Sequence, residues 1–433
     1  HFDTETDSFT HYQHDPSDPT SLSDNHIHTL TEDRSGILWI GTDTHGLDRF
    51  DLATETFSHF EPDPTDPFSL SENLVITLYE DSTGTLWIGT YSEGLNAFNS
   101  QSKDGQAHFK HYRHDPEDPG SMGAGTIREI LEDQAGVLWI GTTGGGLCRF
   151  DRDMETFACY KNDPEDDNSI SDNTVFAIHE DRDGILWIGT GSGLNRFDSQ
   201  TGESTPYTVA DGLSHDTVYG ILEAEDRQLW ISTLRGLSHF DPVSLTFHNY
   251  TAIDGLPGDS FNRHSYTKAE TGELFFGSPN GLTVFYPGDI QDNPHIPPVV
   301  ITSLQLADEP IGVGGDSPLE TSLLDAEELI FPYDERIISL EFAALSFNAP
   351  EKNLYRFKLE GFDDDWHEVD STRRFATYTN LDPGEYVFRV IGSNNDGIWN
   401  EEGAAIAITM TPPWWETTWF RIGLVMLAIG LLI

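Results

Sequence analysis

The sequence predicts an all-β chain, a propeller of four-stranded blades followed by an immunoglobulin-like sandwich and an apolar helical segment, and three observations carry that expectation. Leu-Trp-Ile-Gly-Thr recurs at 38–42, 86–90, 138–142 and 186–190, and continues in altered form as LWIST at 229–233 and LFFGS at 274–278. The recurring aromatic (Trp39, Trp87, Trp139, Trp187, Trp230, Phe275) returns every 43 to 52 residues, a period that holds four short strands and their turns. Residues 299–411 then alternate apolar and polar side chains over short segments separated by turn residues, the pattern of half-buried strands.

Within the first repeat the strands follow from alternation. HIHTLTED forms the first, ILWIGT the second, GLDRFD the third and TFSHFEP the fourth, with Arg34-Ser35-Gly36 as the first hairpin turn. The turn recurs as Asp81-Ser82-Thr83-Gly84, Asp133-Gln134-Ala135-Gly136 and Asp181-Arg182-Asp183-Gly184, where Gly supplies the positive φ of a tight hairpin. A second motif, Gly-Leu with an aromatic three residues after the Leu, continues each unit: GLDRF, GLNAF, GLCRF, GLNRF, GLSHF and GLTVF. Pairing Phe150 with Phe157 sets Cys148 opposite Cys159; a cross-strand disulfide and two free thiols both fit.

Between units runs Asp-Pro-x-Asp-Pro-x-Ser-Leu-Ser-[Asp/Glu]-Asn, at 15–25 and 63–73 and more loosely at 115–125 and 163–173. Proline fixes φ and removes donors, so these are ordered crossings from an outer strand to the next inner one. The sixth unit lacks a fourth strand, because the Pro-rich IQDNPHIPPVV follows GLTVFYPGDI. Residues 2–16 parallel 50–64. They either complete the last blade or form the tail of an upstream one.

Past the linker, VVITSLQL, IISLEFAAL, LYRFKLEGF, RFATYTNL, EYVFRVIGSN and AAIAITMT read as strands, an arrangement that argues a sandwich. Trp414 and Trp415 precede and Trp419 opens the apolar run WFRIGLVMLAIGLLI, as indoles do at a membrane interface. A spanning helix needs about 20 apolar residues, so the run is expected to be a truncated transmembrane helix and the chain a fragment. The expected domains are a propeller at 1–290, a linker at 291–298, a sandwich at 299–412 and a membrane segment at 413–433.

Composition narrows function. With 23 Lys+Arg against 74 Asp+Glu the net charge is −51, which excludes a nucleic-acid partner. The two cysteines lack zinc-site spacing, and none of the common hydrolase, phosphate-loop, dinucleotide or EF-hand motifs is present, so no catalytic residue, metal or cofactor is expected. His11, His14, His59, His111 and His114 sit at repeated positions and are read as structural.

The repeats and the linker NPHIPPVVITSL resemble the two-component regulator propeller of bacterial membrane sensors. Residues 336–411 resemble the three-tyrosine (Y_Y_Y) domain of the same sensors, with Tyr355, Tyr378 and Tyr386 at the family's tyrosines and Trp366 and the Asp382-Pro383-Gly384 turn in place. The resemblance implies seven blades, a periplasmic location for 1–412, an inner-membrane anchor, a homodimer, and a cytoplasmic histidine kinase or diguanylate cyclase as output. A propeller presents asymmetric loops around a central channel, so a small-molecule or oligosaccharide ligand is expected on residues that break the repeat there: Arg128, His215, Arg235, Asn262, Arg263 and His264. The alternatives are a propeller enzyme, a lyase or glycosidase, and an anchored adhesion scaffold.

Overall fold

In the computed structural model, which describes residues 2–3, 6, 8–98, 108–307, 309–314, 319, 321–335 and 337–432, the first repeat forms four antiparallel strands in chain order: Ile27–Glu32, Leu38–Thr42, Leu47–Asp51 and Thr56–Phe60. Four more such sheets follow, beginning at Val75, Ile127, Val175 and Val218. The sixth is three-stranded, Tyr266–Lys268, Leu274–Ser278 and Gly281–Phe285. These are blades 1 to 6, and their first strands pack side by side in order.

Each letter of the repeated motif has a structural cause. The Asp that opens the hairpin turn accepts a hydrogen bond from the indole of the Trp six residues on: Asp33 from Trp39 at 2.8 Å, Asp81 from Trp87 at 2.7 Å, Asp133 from Trp139 at 2.8 Å and Asp181 from Trp187 at 2.7 Å. The indole is buried, and this bond satisfies its only donor. Each Trp also meets the motif Phe of the next blade, with centroids 5.5 Å apart for Trp39 and Phe98 and 5.4 Å for Trp87 and Phe150. The Gly of Trp-Ile-Gly is small because the next inner strand arrives there: a Cβ on Gly141 would lie 2.7 Å from Val175 Cγ1. The following Thr closes the loop to the third strand by donating to the carbonyl of the motif Gly, as Thr90 does to Gly94 at 2.8 Å.

Blade 5 breaks this pattern. Ala224 stands where blades 1 to 4 have Asp, and the Trp230 indole N–H is buried without a partner. Ala224→Asp is therefore expected to raise stability by about 1 kcal/mol, read as a rise of about 2 °C in the melting temperature.

The crossings are held by the repeated histidines. The ring of His14 bonds the Leu22 carbonyl and that of His114 the Met122 carbonyl, both at 2.8 Å, while His59 bridges the Asp48 carboxylate at 2.7 Å and the Pro19 carbonyl at 3.0 Å. Their structural role is plain. Cys148 and Cys159 are directly paired across the hairpin and form a disulfide. At the N-terminus Phe2 pairs with Phe9 and Asp3 with Ser8, the register that joins Phe50 to Phe57 and Asp51 to Thr56 in blade 1. Tyr12 then packs on Phe50 at 4.9 Å, as Tyr112 packs on Phe150 at 5.2 Å. Among the described residues this segment forms a two-stranded antiparallel pair before blade 1 and adds no strand to the sixth sheet.

The chain divides into two compact units, His1–Asp289 and Ile290–Ile433. The second is a sandwich. One sheet orders Glu309–Pro310, Val299–Leu306, Ile337–Ala344 and Phe375–Thr379; the other orders Glu328–Pro332, Trp399–Thr411, Gly384–Ser393, Leu354–Glu360 and His367–Asp370. Leu304, Leu340, Phe342, Leu359, Phe388 and Ile408 fill the space between them. The strand Glu328–Pro332, which pairs in parallel with the end of Trp399–Thr411, was not foreseen from the sequence.

The three tyrosines are structural. Tyr355 accepts from the Ala344 amide at 3.2 Å, Tyr378 donates to Asp363 at 2.8 Å, and Tyr386 donates to the Asp382 carbonyl at 3.0 Å. The last bond has the form of a tyrosine corner. The expected helix forms over Thr418–Leu432, 15 residues. Among the described residues no helix is long and apolar enough to cross a membrane.

Candidate functional site at the propeller axis

Every full blade carries the same irregularity on its innermost strand. Register with the second strand slips between Ile27 and Thr29, Val75 and Thr77, Ile127 and Glu129, Val175 and Ala177, and Val218 and Gly220. A β-bulge frees its extra residue from the ladder and re-aims its side chain. The freed residues are His28, Ile76, Arg128, Phe176 and Tyr219. The preceding position repeats as Ile or Val while these five differ, so the bulge turns a regular fold into an asymmetric ring. In blade 6 His264 takes the corresponding place, with a left-handed φ of 56°, just before Ser265, whose carbonyl accepts from Gly277 at 2.6 Å.

Side chains of blades 3, 4, 5 and 6 converge at this level. The Arg263 guanidinium lies 4.9 Å from the Phe176 ring centroid and 5.3 Å from that of Tyr219, and those two rings meet edge to face at 5.4 Å. Arg128 donates through Nε to the Thr143 hydroxyl at 2.9 Å. Burial, and after it the charge of Arg263, lowers the Arg128 pKa. Neither arginine has a carboxylate at ion-pair distance among the described residues.

One residue deeper, the Tyr266 ring from blade 6 lies against Gly220 of blade 5, where a Cβ would come within 2.3 Å of it. Its hydroxyl reaches across to blade 3 and donates to Glu129 Oε2 at 3.1 Å. His264 Nδ1 is 3.6 Å from the same oxygen, and its Nε2 is buried without a partner. Burial, reinforced by Glu129, pushes the Tyr266 pKa well above its ordinary value, so the phenol stays protonated as the donor. The result is a bar across the axis, beneath a mouth that carries two guanidiniums.

Of the six residues expected from sequence, the fold brings Arg128, Arg263 and His264 together. His215 caps its turn by accepting the Thr217 amide at 2.9 Å, as Asp24 accepts that of His26 at 2.9 Å in blade 1. Arg235 sits exposed in the turn between Leu229–Thr233 and Gly236–Asp241, its amide donating to Thr233 Oγ1 at 3.0 Å. Asn262 is exposed, and its backbone amide donates to Gly277. Sequence reasoning missed Phe176, Tyr219, Glu129 and Tyr266. Aligning the repeats on their branched first residue would have found the first two, because the next position reads His, Ile, Arg, Phe, Tyr. Among the described residues no group of three or more His, Cys, Asp or Glu side chains is placed to hold a metal ion.

Comparison with known proteins agrees with this architecture. Residues 21–44, 69–92, 121–144 and 169–192 match the two component regulator propeller model, and residues 346–411 match the Y_Y_Y domain model. The chain is 30% identical over 173 residues to Histidine kinase P4 of Formosa agariphila, covering 40% of this chain and 12% of that protein. It superposes with a TM-score of 0.75 and 25% identity on a structure described as the extracellular domain of the hybrid two component system BT3049 from B. thetaiotaomicron, over 90% of this chain and 51% of that one. A second extracellular domain, of the one component system BT4673 from the same organism, shares the fold at 22% identity and a TM-score of 0.50. The chain thus spans about half the length of these structures and a small part of the kinase.

Proposed function

We propose that this chain, which carries two-component regulator propeller repeats joined to a Y_Y_Y domain, is the extracytoplasmic ligand-sensing region of a membrane-bound signalling receptor. The supporting observation is the superposition over 90% of the chain on the extracellular domain of a hybrid two component system. In this reading residues 1–412 lie in the periplasm, the Trp-flanked helix continues into an inner-membrane anchor, and the receptor works as a homodimer. A small molecule or oligosaccharide binds at the propeller axis, with Arg128, Arg263 and His264 as its inner contacts and His215, Arg235 and Asn262 on the surrounding loops. The sandwich relays the bound state through the helix to a cytoplasmic histidine kinase or diguanylate cyclase.

Two measurements test it. Sequencing the coding region beyond Ile433 is expected to reveal an anchor and a kinase or cyclase module, and a stop codon directly after Ile433 would sink the proposal. In the intact receptor, a ligand that raises the melting temperature of this chain is expected to change phosphoryl transfer or cyclase output. A ligand that stabilises the chain without altering output argues against a sensing role.

A further inference from the structure

Arg128 and Arg263 pose an electrostatic problem. The chain has 74 carboxylates for 23 Lys and Arg, so a cation can readily find a partner, and Arg152 holds both Asp81 and Glu132. Yet Arg128 of blade 3 and Arg263 of blade 6, whose chain neighbours Glu129 and His264 approach to 3.6 Å at the axis, have none among the described residues. Arg128 is partly buried and Arg263 is exposed, so solvent moderates their repulsion without removing it, and contacts on the protein side hold each in place. Both are fixed. Arg128 is released from the ladder by its bulge and tied to Thr143. Arg263 is seated over Phe176 and Tyr219, an attraction to the ring faces, and the left-handed backbone of His264 follows it. The nearby carboxylate, Glu129, is engaged by Tyr266 and faces His264.

We infer that the axis mouth is an oxyanion site: Arg128 and Arg263 together clamp one carboxylate or sulfate group of the ligand, with Phe176 and Tyr219 as the seat that positions Arg263. The inference rests on the sensor reading and adds the chemical class of the ligand. A planar guanidinium presents a fork of donors that matches an oxyanion, and a bound anion removes the repulsion between the two forks. The anionic surface makes such a site selective. An acidic molecule is repelled by the protein as a whole and gains only where two cations act together.

The test uses the whole chain and named probes at matched ionic strength: trigalacturonate, succinate, sodium sulfate and neutral galactotriose, measured by calorimetry and thermal shift. An acidic probe is expected to bind, and Arg128→Gln or Arg263→Gln to weaken it about tenfold to a hundredfold. The double variant should lose less than the product of the two, because both act on one anion. Arg227→Gln, which breaks an exposed pair with Asp183, should change nothing. If the Gln variants fail to fold, Arg128→Lys and Arg263→Lys keep the charge without the fork, and a several-fold loss is expected. Trigalacturonate alone points to an acidic saccharide, and binding of succinate or sulfate to the oxyanion itself. Galactotriose binding as tightly as trigalacturonate, or acidic probes binding equally to the Gln variants, overturns the clamp while leaving the sensor reading intact. If no acidic probe binds, the clamp falls whether or not galactotriose binds, and the sensor reading is decided separately by the output of the intact receptor.

Discussion

Replacing Asp81 by Ala is expected to cost about 3 kcal/mol or more. Its side chain is fully buried and receives hydrogen bonds from the Thr83 amide at 2.9 Å, the Thr83 hydroxyl at 2.6 Å, the Thr85 amide at 3.0 Å, the Trp87 indole at 2.7 Å and Arg152 at 2.6 Å. Arg152 reaches from blade 3, so this carboxylate ties two blades together. Removing it leaves a buried indole donor and a cation short of its partner, the change that costs most in a buried polar network. Denaturant unfolding of the variant checks this, and a loss below about 1 kcal/mol would show that water or relaxation replaces the carboxylate.

Acid provides an independent reading of the same group. Burial pushes the Asp81 pKa up, but the bonds from Thr83, Trp87, Arg152 and Thr85 outweigh it and hold the carboxyl at about 2, below the ordinary 3.8. A carboxyl depressed in the folded state adds stability above its unfolded pKa and loses it as pH falls through the folded value. The stability gap between the natural chain and Asp81→Asn should therefore narrow as pH drops from above 3.8 to about 2. A gap that stays constant over that window contradicts the assignment.

Gly125→Ala is the second large effect, and it couples stability to the site. Gly125 has a φ of 97°, and a Cβ there would lie 1.8 Å from the Thr143 carbonyl oxygen. Backbone cannot yield as a side-chain tip does, so left-handed strain and overpacking together cost about 3 kcal/mol or more. Thr143 also anchors Arg128. The variant should thus weaken binding of an acidic probe as well as lower the melting temperature by about 2 °C for each kcal/mol lost. Unchanged probe affinity in a destabilised variant would detach Arg128 positioning from the Thr143 loop.

The repeat made the blades legible because each motif letter answers a local demand that recurs: an Asp for the indole, a Gly for the arriving strand, a Thr to close the loop. The same logic makes Phe275 an exception legible in the sequence, whereas Ala224 stands out only beside the indole hydrogen bonds of blades 1 to 4. The strand Glu328–Pro332 escaped because it is short, ends in proline and lies far in sequence from its partner Trp399–Thr411. At the site, Arg128, Arg263 and His264 stood out as residues that break the repeat. His215 broke it too, but for another reason: its imidazole replaces a turn-capping carboxylate. Composition could not separate those two roles, since both put an unusual residue at a repeated position.

The sequence by itself determined the blades, the cross-strand cysteine pair, the sandwich and the acidic skin, because hydrophobic period, turn chemistry and cross-strand register are local properties of the chain. Tertiary structure alone decided which exceptions meet. The inner-strand bulges re-aim one side chain per blade toward a common axis, and only the arrangement of the blades places His264 within 3.6 Å and Tyr266 within 3.1 Å of Glu129. These partners lie more than a hundred residues apart in the chain, so their charges and hydrogen bonds come into force only after the inner strands have packed side by side.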